Sequence, residues 1–305
     1  VEAACASGGM AFHLATKYLN DNSQKIVLVL GAEKMTDYSP EEVTSALAAA
    51  SSGEEQEAGL TFPGLYALIA NFYLKKYRYT EENLAYVSFK NHYHGSLNEK
   101  AHFQNKLTIE KILKSPYVAY PLKVLDSSPI SDGASALILT NDKNLIKKSK
   151  YSISVLSSEV ATDTINLFKR KSLDEILATK IASELAFKKA EVKRKQIKVA
   201  EVHDCFSIAE ILAMEDLGFW KKGEGGKRIK ELSTMLGNSD LTVNPSGGLK
   251  AAGHPVGATG IKQIGEIFLQ LTNQARQRQV KNAKYGLTHN VGGSGGTAVV
   301  TILGN

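Results

Sequence analysis

Ile197-Lys-Val-Ala-Glu-Val-His-Asp-Cys-Phe-Ser-Ile-Ala-Glu-Ile-Leu-Ala-Met-Glu-Asp-Leu217 reads in order as a strand, a short loop and a helix. Ile197 to Val202 is a β-branched, apolar run of strand length, and from Ser207 apolar residues recur at helical spacing as far as Leu217. The loop between them, His203-Asp-Cys-Phe206, leaves the C-terminal end of the strand. Open α/β sheets place their ligands at that end.

The same alternation extends to both sides. Lys25 to Leu30 is a continuous aliphatic run closed by Gly31, the pattern of a strand buried on both faces. Ala134 to Thr140 repeats it, and Tyr285 to His289 with Thr297 to Leu303 forms a closing pair around the glycine-rich Val291 to Gly296. Helical periodicity covers Gly9–Leu19, Leu65–Tyr77, Thr80–Phe89, Ser172–Ala190, Ser207–Leu217 and Gly260–Arg276. Strands alternating with helices of this length predict an α/β fold with a mainly parallel sheet covered on both faces. Met35 to Val124 departs from the pattern, with three of the seven histidines and no clear buried strand. It is expected to be an insertion folded over the mouth of a site. The polar run Asn141 to Lys150 is the expected domain boundary. A loop, helix, strand, strand order follows Cys5 and occurs again after His254, a coarse internal symmetry.

Composition narrows the class. Of 305 residues, 43% are hydrophobic and 22% charged, as in an ordinary globular protein long enough to need no disulfide or metal staple. The net charge of +6 comes from scattered lysines, and no basic stripe interleaved with aromatics suggests nucleic acid as a partner. Apolar runs fall far short of the ~20 residues of a membrane span, and no signal peptide is visible. Two cysteines exclude a disulfide framework and a zinc knuckle, and fit a reducing, cytoplasmic setting. The chain opens at Val1, only four residues before its most suggestive motif, which leads us to expect a missing N-terminal segment.

Four loops carry residues suited to chemistry. Cys5-Ala-Ser-Gly-Gly9 opens a helix, whose dipole and free N–H groups are expected to lower the thiol pKa, and its small residues leave room for a ligand. Gly253-His-Pro-Val-Gly-Ala-Thr-Gly260, after Asn244-Pro-Ser-Gly-Gly248, presents His254 on a tight turn; its glycine spacing does not fit a dinucleotide fingerprint. His203-Asp-Cys-Phe206 offers an imidazole and a second thiol, and one such pair does not complete a metal set. His289-Asn-Val-Gly-Gly-Ser-Gly-Gly296 offers backbone amides for an oxyanion hole. A thiolate nucleophile, two imidazoles, a second thiol and free amides suit acyl transfer through a thioester, followed by making or breaking a carbon–carbon bond.

Together with Lys90-Asn-His-Tyr-His-Gly-Ser-Leu-Asn-Glu-Lys-Ala-His-Phe-Gln104 and Ser127-Ser-Pro-Ile-Ser-Asp-Gly-Ala-Ser-Ala-Leu-Ile-Leu139, these motifs resemble the thiolases, in particular the branch of archaeal acetyl-CoA acetyltransferases and sterol-carrier-protein-type thiolases. The resemblance runs from residue 1 to the C-terminus. It implies two βαβαβ-type halves in a layered α-β-α-β-α arrangement: an incomplete N-terminal domain over 1–149, with an inserted loop domain over about 36–124, and a C-terminal domain over 150–305. The family has roughly three further strands before the nucleophile. The resemblance makes Cys5 the acylated nucleophile, and gives His254 the tasks of activating it and binding a thioester oxygen. Asn290 stands where ordinary thiolases carry an acid/base cysteine, so that role passes to Cys205, with His203 holding a catalytic water. The amides of Cys5 and Gly292, and the ring of His254, form the oxyanion holes, while Ser246, Gly247 and Asn290 lie against the substrate. The implied reaction condenses two acetyl-CoA to acetoacetyl-CoA, or runs in reverse, without a cofactor or metal beyond the coenzyme A thioester. The family further implies a homodimer or homotetramer, the mevalonate pathway, and assembly with an HMG-CoA synthase and a small zinc-containing OB-fold protein. The rival readings are a β-ketoacyl synthase and a non-catalytic thiolase-like subunit that binds coenzyme A.

Overall fold

The computed structural model describes residues 1–21, 25–238 and 240–305. The first half holds α1 (Ser7–Asp21), β1 (Ile26–Glu33), α2 (Pro40–Ala48), α3 (Gly53–Glu57), α4 (Phe62–Tyr77), α5 (Glu81–Gly95), α6 (Ile109–Leu113), β2 (Tyr117–Ala119), β3 (Leu122–Lys123), β4 (Gly133–Thr140) and α7 (Lys143–Lys148). The second holds β5 (Ser154–Thr162), α8 (Leu177–Ala190), β6 (Ile197–Glu201), α9 (Ser207–Asp216), α10 (Gly225–Lys230), β7 (Thr242–Val243), α11 (Gly248–Ala252), α12 (Thr259–Leu271), β8 (Tyr285–Gly292) and β9 (Thr297–Gly304).

The larger sheet has the order β5-β9-β8-β6-β7. Its sense is mixed, which corrects the mainly parallel sheet read from the sequence. β6 lies parallel to β7 and β8, but β8–β9 and β9–β5 are antiparallel. The physical reason is the short glycine turn after β8, which can only return the chain as a hairpin neighbour. β5 went unread because Ser157 and Ser158 are its buried residues, with Ser158 meeting Thr301 Oγ1 at 3.0 Å. The smaller sheet pairs β1 with β4 antiparallel, Ile26 opposite Thr140 through Glu33 opposite Gly133.

Between the two sheets lies a layer of α1 and α12. Phe12, Ala15 and Leu19 of α1 and Ile261, Ile264 and Ile267 of α12 pack on Val29 and Leu139 to one side and Val199 and Leu303 to the other. On the far face of the larger sheet, α8 and α9 bury Ala182, Phe187, Ala213 and Met214 against Ala200, Leu287, Val300 and Ile302. The order is therefore sheet, helices, sheet, helices among the described residues. Among the described residues no helix covers the outer face of β1–β4, where Leu28 and Ile138 are 64% and 74% exposed. The expectation that β1 is buried on both faces thus fails for that face.

Several helix ends also differ from the periodicity, α5 running on to Gly95 rather than stopping at Phe89. Ser172 and Tyr77 hydrogen-bond the Asp174 carboxylate, and this local network holds residues 172–174 out of the helix that begins at Leu177. α12 stops at Leu271 rather than Arg276, with Asn273 left-handed two residues later. The long excursion between β1 and β4 is mostly helical and contains one short β2–β3 hairpin. Its α4 packs Leu65, Tyr66, Ile69 and Tyr73 against Ile208, Ile211 and Leu212 of α9, which brings the insertion over the C-terminal end of β6.

Candidate active site

The Cys5 loop is a tight turn into α1. Ala4 has φ +48°, a left-handed conformation uncommon for a residue with a Cβ. Ser7 stabilises the turn, its hydroxyl donating to Ala4 O at 2.6 Å and accepting from Ala3 N at 2.9 Å. Gly8 and Gly9 do not make room for a ligand, as the sequence suggested. A Cβ at Gly8 would sit 3.0 Å from Gly260 N, and one at Gly9 2.8 Å from Asn290 Oδ1. Their smallness lets α1 approach α12 and β8.

Cys5 stands in the wall of a cavity of about 300 Å³, together with Cys205, His254, His92, Tyr66 and Lys250. The rest of that wall is largely apolar, including Met35, Leu47, Phe62, Phe103, Val124 and Val256. His254 follows α11; its N–H donates to Ser131 Oγ at 3.1 Å, and its Nδ1 lies 2.8 Å from Thr259 Oγ1. Cys205 follows β6, and its carbonyl accepts from Ser128 N at 2.9 Å. His203 lies behind the wall, its ring 5.1 Å from that of His254 in an edge-to-face arrangement. Cys5 Sγ and one nitrogen from each imidazole fall within 4.8 Å of one another. That spacing would also suit a soft cation, and the same atoms are the ones acyl transfer needs.

Burial sets the charge states. It pushes the Cys5 thiol up to about 11, against the amides of Gly293 and of Cys5 itself, with the charge of Glu33 adding to the rise. The helix-start argument for a depressed pKa is thus overturned, because desolvation outweighs the amide dipoles. Burial likewise pushes Cys205 up to about 12, with Tyr66 and Lys250 opposing. It takes His254 down to about 3 and His203 well below the usual imidazole range. The resting site is therefore two neutral thiols facing two neutral imidazoles.

Other sequence-predicted positions sit elsewhere. The amide that reaches the Cys5 sulfur belongs to Gly293, one residue beyond Gly292, which ends β8 in register with Thr297. Ser246 is turned inward by buried Glu201, its hydroxyl donating to Oε2 at 2.7 Å and its N–H to Oε1 at 3.0 Å. Gly247, at φ +102°, backs onto Gly95. Asn290 is 2% exposed and engaged by the Cys5 loop. None of these three lines the cavity.

Reading the sequence missed two residues of the wall. Tyr66 donates to Gly293 O at 3.1 Å and borders Cys205. Lys250 is 1% exposed, its ammonium held by the Asp126 carbonyl and pulled below the ordinary lysine range by burial. Only its place three residues before Gly253 in the histidine motif could have flagged it. The Lys90-Asn91 pair proves to be scaffolding. Lys90 and Glu210, both fully buried, meet at 2.6 Å, and Asn91 Nδ2 donates to Asp204 Oδ2 at 2.7 Å and Glu210 Oε2 at 2.8 Å. Asp204 Oδ1 in turn accepts from Leu249 N at 2.6 Å. This network ties the insertion, the Cys205 loop and the His254 loop into one unit.

Family models for the thiolase N-terminal domain and the thiolase C-terminal domain-like fold match residues 1–143 and 160–305. The chain belongs to the thiolase family. It is 47% identical over 304 residues to an acetyl-CoA acetyltransferase of Methanothermobacter thermautotrophicus, covering 99% of this chain and 79% of that one. Rat sterol carrier protein 2 is 32% identical over 98% of this chain and 56% of its own length. Among solved structures, the Ltp2–ChsH2(DUF35) aldolase superposes with a TM-score of 0.82 at 19% identity, covering 98% of this chain and 78% of that one. Human mitochondrial 3-ketoacyl-CoA thiolase gives 0.71 at 16% identity, covering 100% and 78%. At those identities the two structures establish the thiolase fold alone.

Proposed function

We propose that this thiolase transfers an acetyl group between coenzyme A thioesters, condensing two acetyl-CoA to acetoacetyl-CoA or cleaving acetoacetyl-CoA with coenzyme A. The observation that carries the reading is the convergence of Cys5, Cys205 and His254 from three distant loops on one cavity wall. The family membership and the name of the archaeal relative support the same chemistry.

In the first step Cys5 Sγ attacks the acetyl carbonyl while His254 Nε2 takes the thiol proton. The new sulfur–carbon bond replaces the bond to coenzyme A, which leaves as the thiol with that proton. In the second step Cys205, as thiolate, removes a proton from the methyl of a second acetyl-CoA. The carbanion attacks acetyl-Cys5, the carbon–carbon bond forms, and Cys5 departs as the thiolate, which takes up the proton that Cys205 removed and so restores the Cys205 thiolate. The Cys5 and Gly293 amides and the His203 ring are the groups available to hold oxyanions.

The finer assignments belong to this reading. The enzyme works without a cofactor in the cytoplasm, as a homodimer or homotetramer feeding lipid synthesis through the mevalonate pathway. An HMG-CoA synthase and a small OB-fold protein are its expected partners, and the ChsH2(DUF35) component of the structural neighbour supports a small partner of some kind. Incubation with labelled acetyl-CoA tests the reading: acetoacetyl-CoA should accumulate, and no transfer to coenzyme A or to product would overturn it.

A further inference from the structure

We propose that Asn290 is a positioning residue that holds His203 in the tautomer carrying its proton on Nε2. The inference deepens the acyl-transfer reading and rests on it for its catalytic consequence, although the tautomer itself does not.

Asn290 has one orientation open to it. Its Oδ1 accepts from Gly9 N at 3.0 Å, and its Nδ2 donates to Cys5 O at 2.9 Å. Exchanging the two ends would set N–H against N–H and oxygen against oxygen. The pocket around the carboxamide is closely packed, since a Cβ added at Gly260 would lie 2.4 Å from Oδ1. The second hydrogen of Nδ2 is left for His203 Nδ1, 3.3 Å away. A nitrogen that receives a hydrogen must offer a lone pair, so Nδ1 is unprotonated. The ring is neutral, because burial and the nearby His254, His289 and Lys262 all disfavour its charged form. Its one proton therefore sits on Nε2, the buried nitrogen that has no hydrogen-bond partner among the described residues.

His254 has the opposite assignment. Thr259 Oγ1 donates to Pro255 O at 2.8 Å, so towards His254 Nδ1 it acts as the acceptor. His254 is then protonated on Nδ1, with the lone pair on Nε2. Two imidazoles whose rings are 5.1 Å apart thus carry complementary functions: His254 can take the thiol proton, while His203 can only donate, to an oxyanion or to a water that holds one. The same arrangement sets the site against soft cations, because a protonated Nε2 is not a ligand and turning the tautomer over would oppose Nδ1–H to the Asn290 amide.

The test is the nitrogen NMR spectrum of the protein with 15N-labelled histidine rings, the His203 signals being assigned by their loss in His203→Asn. His203 Nδ1 should resonate as an unprotonated nitrogen and Nε2 as a protonated one; the reverse pattern, or an average of the two, overturns the inference without any variant of Asn290. Asn290→Asp replaces the donor with an acceptor, so the His203 proton should move to Nδ1 and condensation should fall about a hundredfold. If Asn290→Asp keeps the Nε2-protonated signal, or keeps the condensation rate, the residue is only filling space. Complete absence of acyl transfer in a protein with the expected spectrum would refute the functional reading and leave the tautomer assignment standing.

Discussion

Replacing Cys205 by alanine separates the two half-reactions that the proposed mechanism assigns to different sulfurs. The side chain is buried against Tyr66 and Phe206, while its backbone carbonyl keeps the bond from Ser128 N. Only one sulfur is lost, comparable to a buried methylene, so the fold should lose about 1 kcal/mol. For a chain of this length that lowers the melting temperature by about 1–2 °C. Cys5 and His254 are untouched, so transfer of labelled acetyl to the enzyme should stay within about threefold of the parent protein. Condensation loses its proton acceptor, and general acid–base groups contribute about 10²–10⁴ in rate. The assay is a pair of measurements on the same preparation: trapped acetyl-enzyme from labelled acetyl-CoA, and acetoacetyl-CoA formed over time. A condensation rate within tenfold of the parent, alongside normal acylation, would refute the assignment and reduce Cys205 to a packing residue.

Other outcomes follow from the same contacts. Because burial raises the Cys205 thiol to about 12, its reactive thiolate grows with pH, and the condensation rate should climb about tenfold per pH unit between pH 7 and 9; a flat profile in single-turnover measurements contradicts this. Lys250→Met removes the buried cation that opposes that rise, so condensation at pH 8 should drop by about tenfold or more and recover in Lys250→Arg, with acylation of Cys5 unaffected. Glu210→Ala strands the Lys90 ammonium in a site with no exposure, and should cost about 3–5 kcal/mol in denaturant unfolding. Gly260→Ala sets a Cβ 2.2 Å from Gly9 N, and should cost about 1–3 kcal/mol while disturbing the Cys5 turn, seen as a lower melting temperature together with slower acylation.

What the sequence disclosed, and what it hid, has a physical pattern. His203-Asp-Cys-Phe206 was legible as a site because a strand and a helix of clear period flank it, and the structure places that loop at the C-terminal end of β6. β5 was not legible: its buried residues are Ser157 and Ser158, and the bond from Ser158 to Thr301 Oγ1 is one that no hydropathy pattern reports. Strand direction was hidden as well, since an aliphatic run looks the same in either sense. Small and polar residues in motifs misled more than apolar ones. Gly8 and Gly9 serve a helix crossing, and Ser246 faces a buried glutamate rather than the cavity. Lys250 carries a charge that ordinarily marks solvent, and only the tertiary structure shows it enclosed beside Cys205.

The central claim is that Cys5 alone carries the acyl group. Peptide mapping by mass spectrometry after brief exposure to acetyl-CoA and acid quenching tests it on a chain that has only two cysteines. One acetyl group on the peptide containing Cys5, and none on the peptide containing Cys205, is the predicted result. Acetyl on Cys205, or on neither thiol while acetoacetyl-CoA is being made, would contradict it.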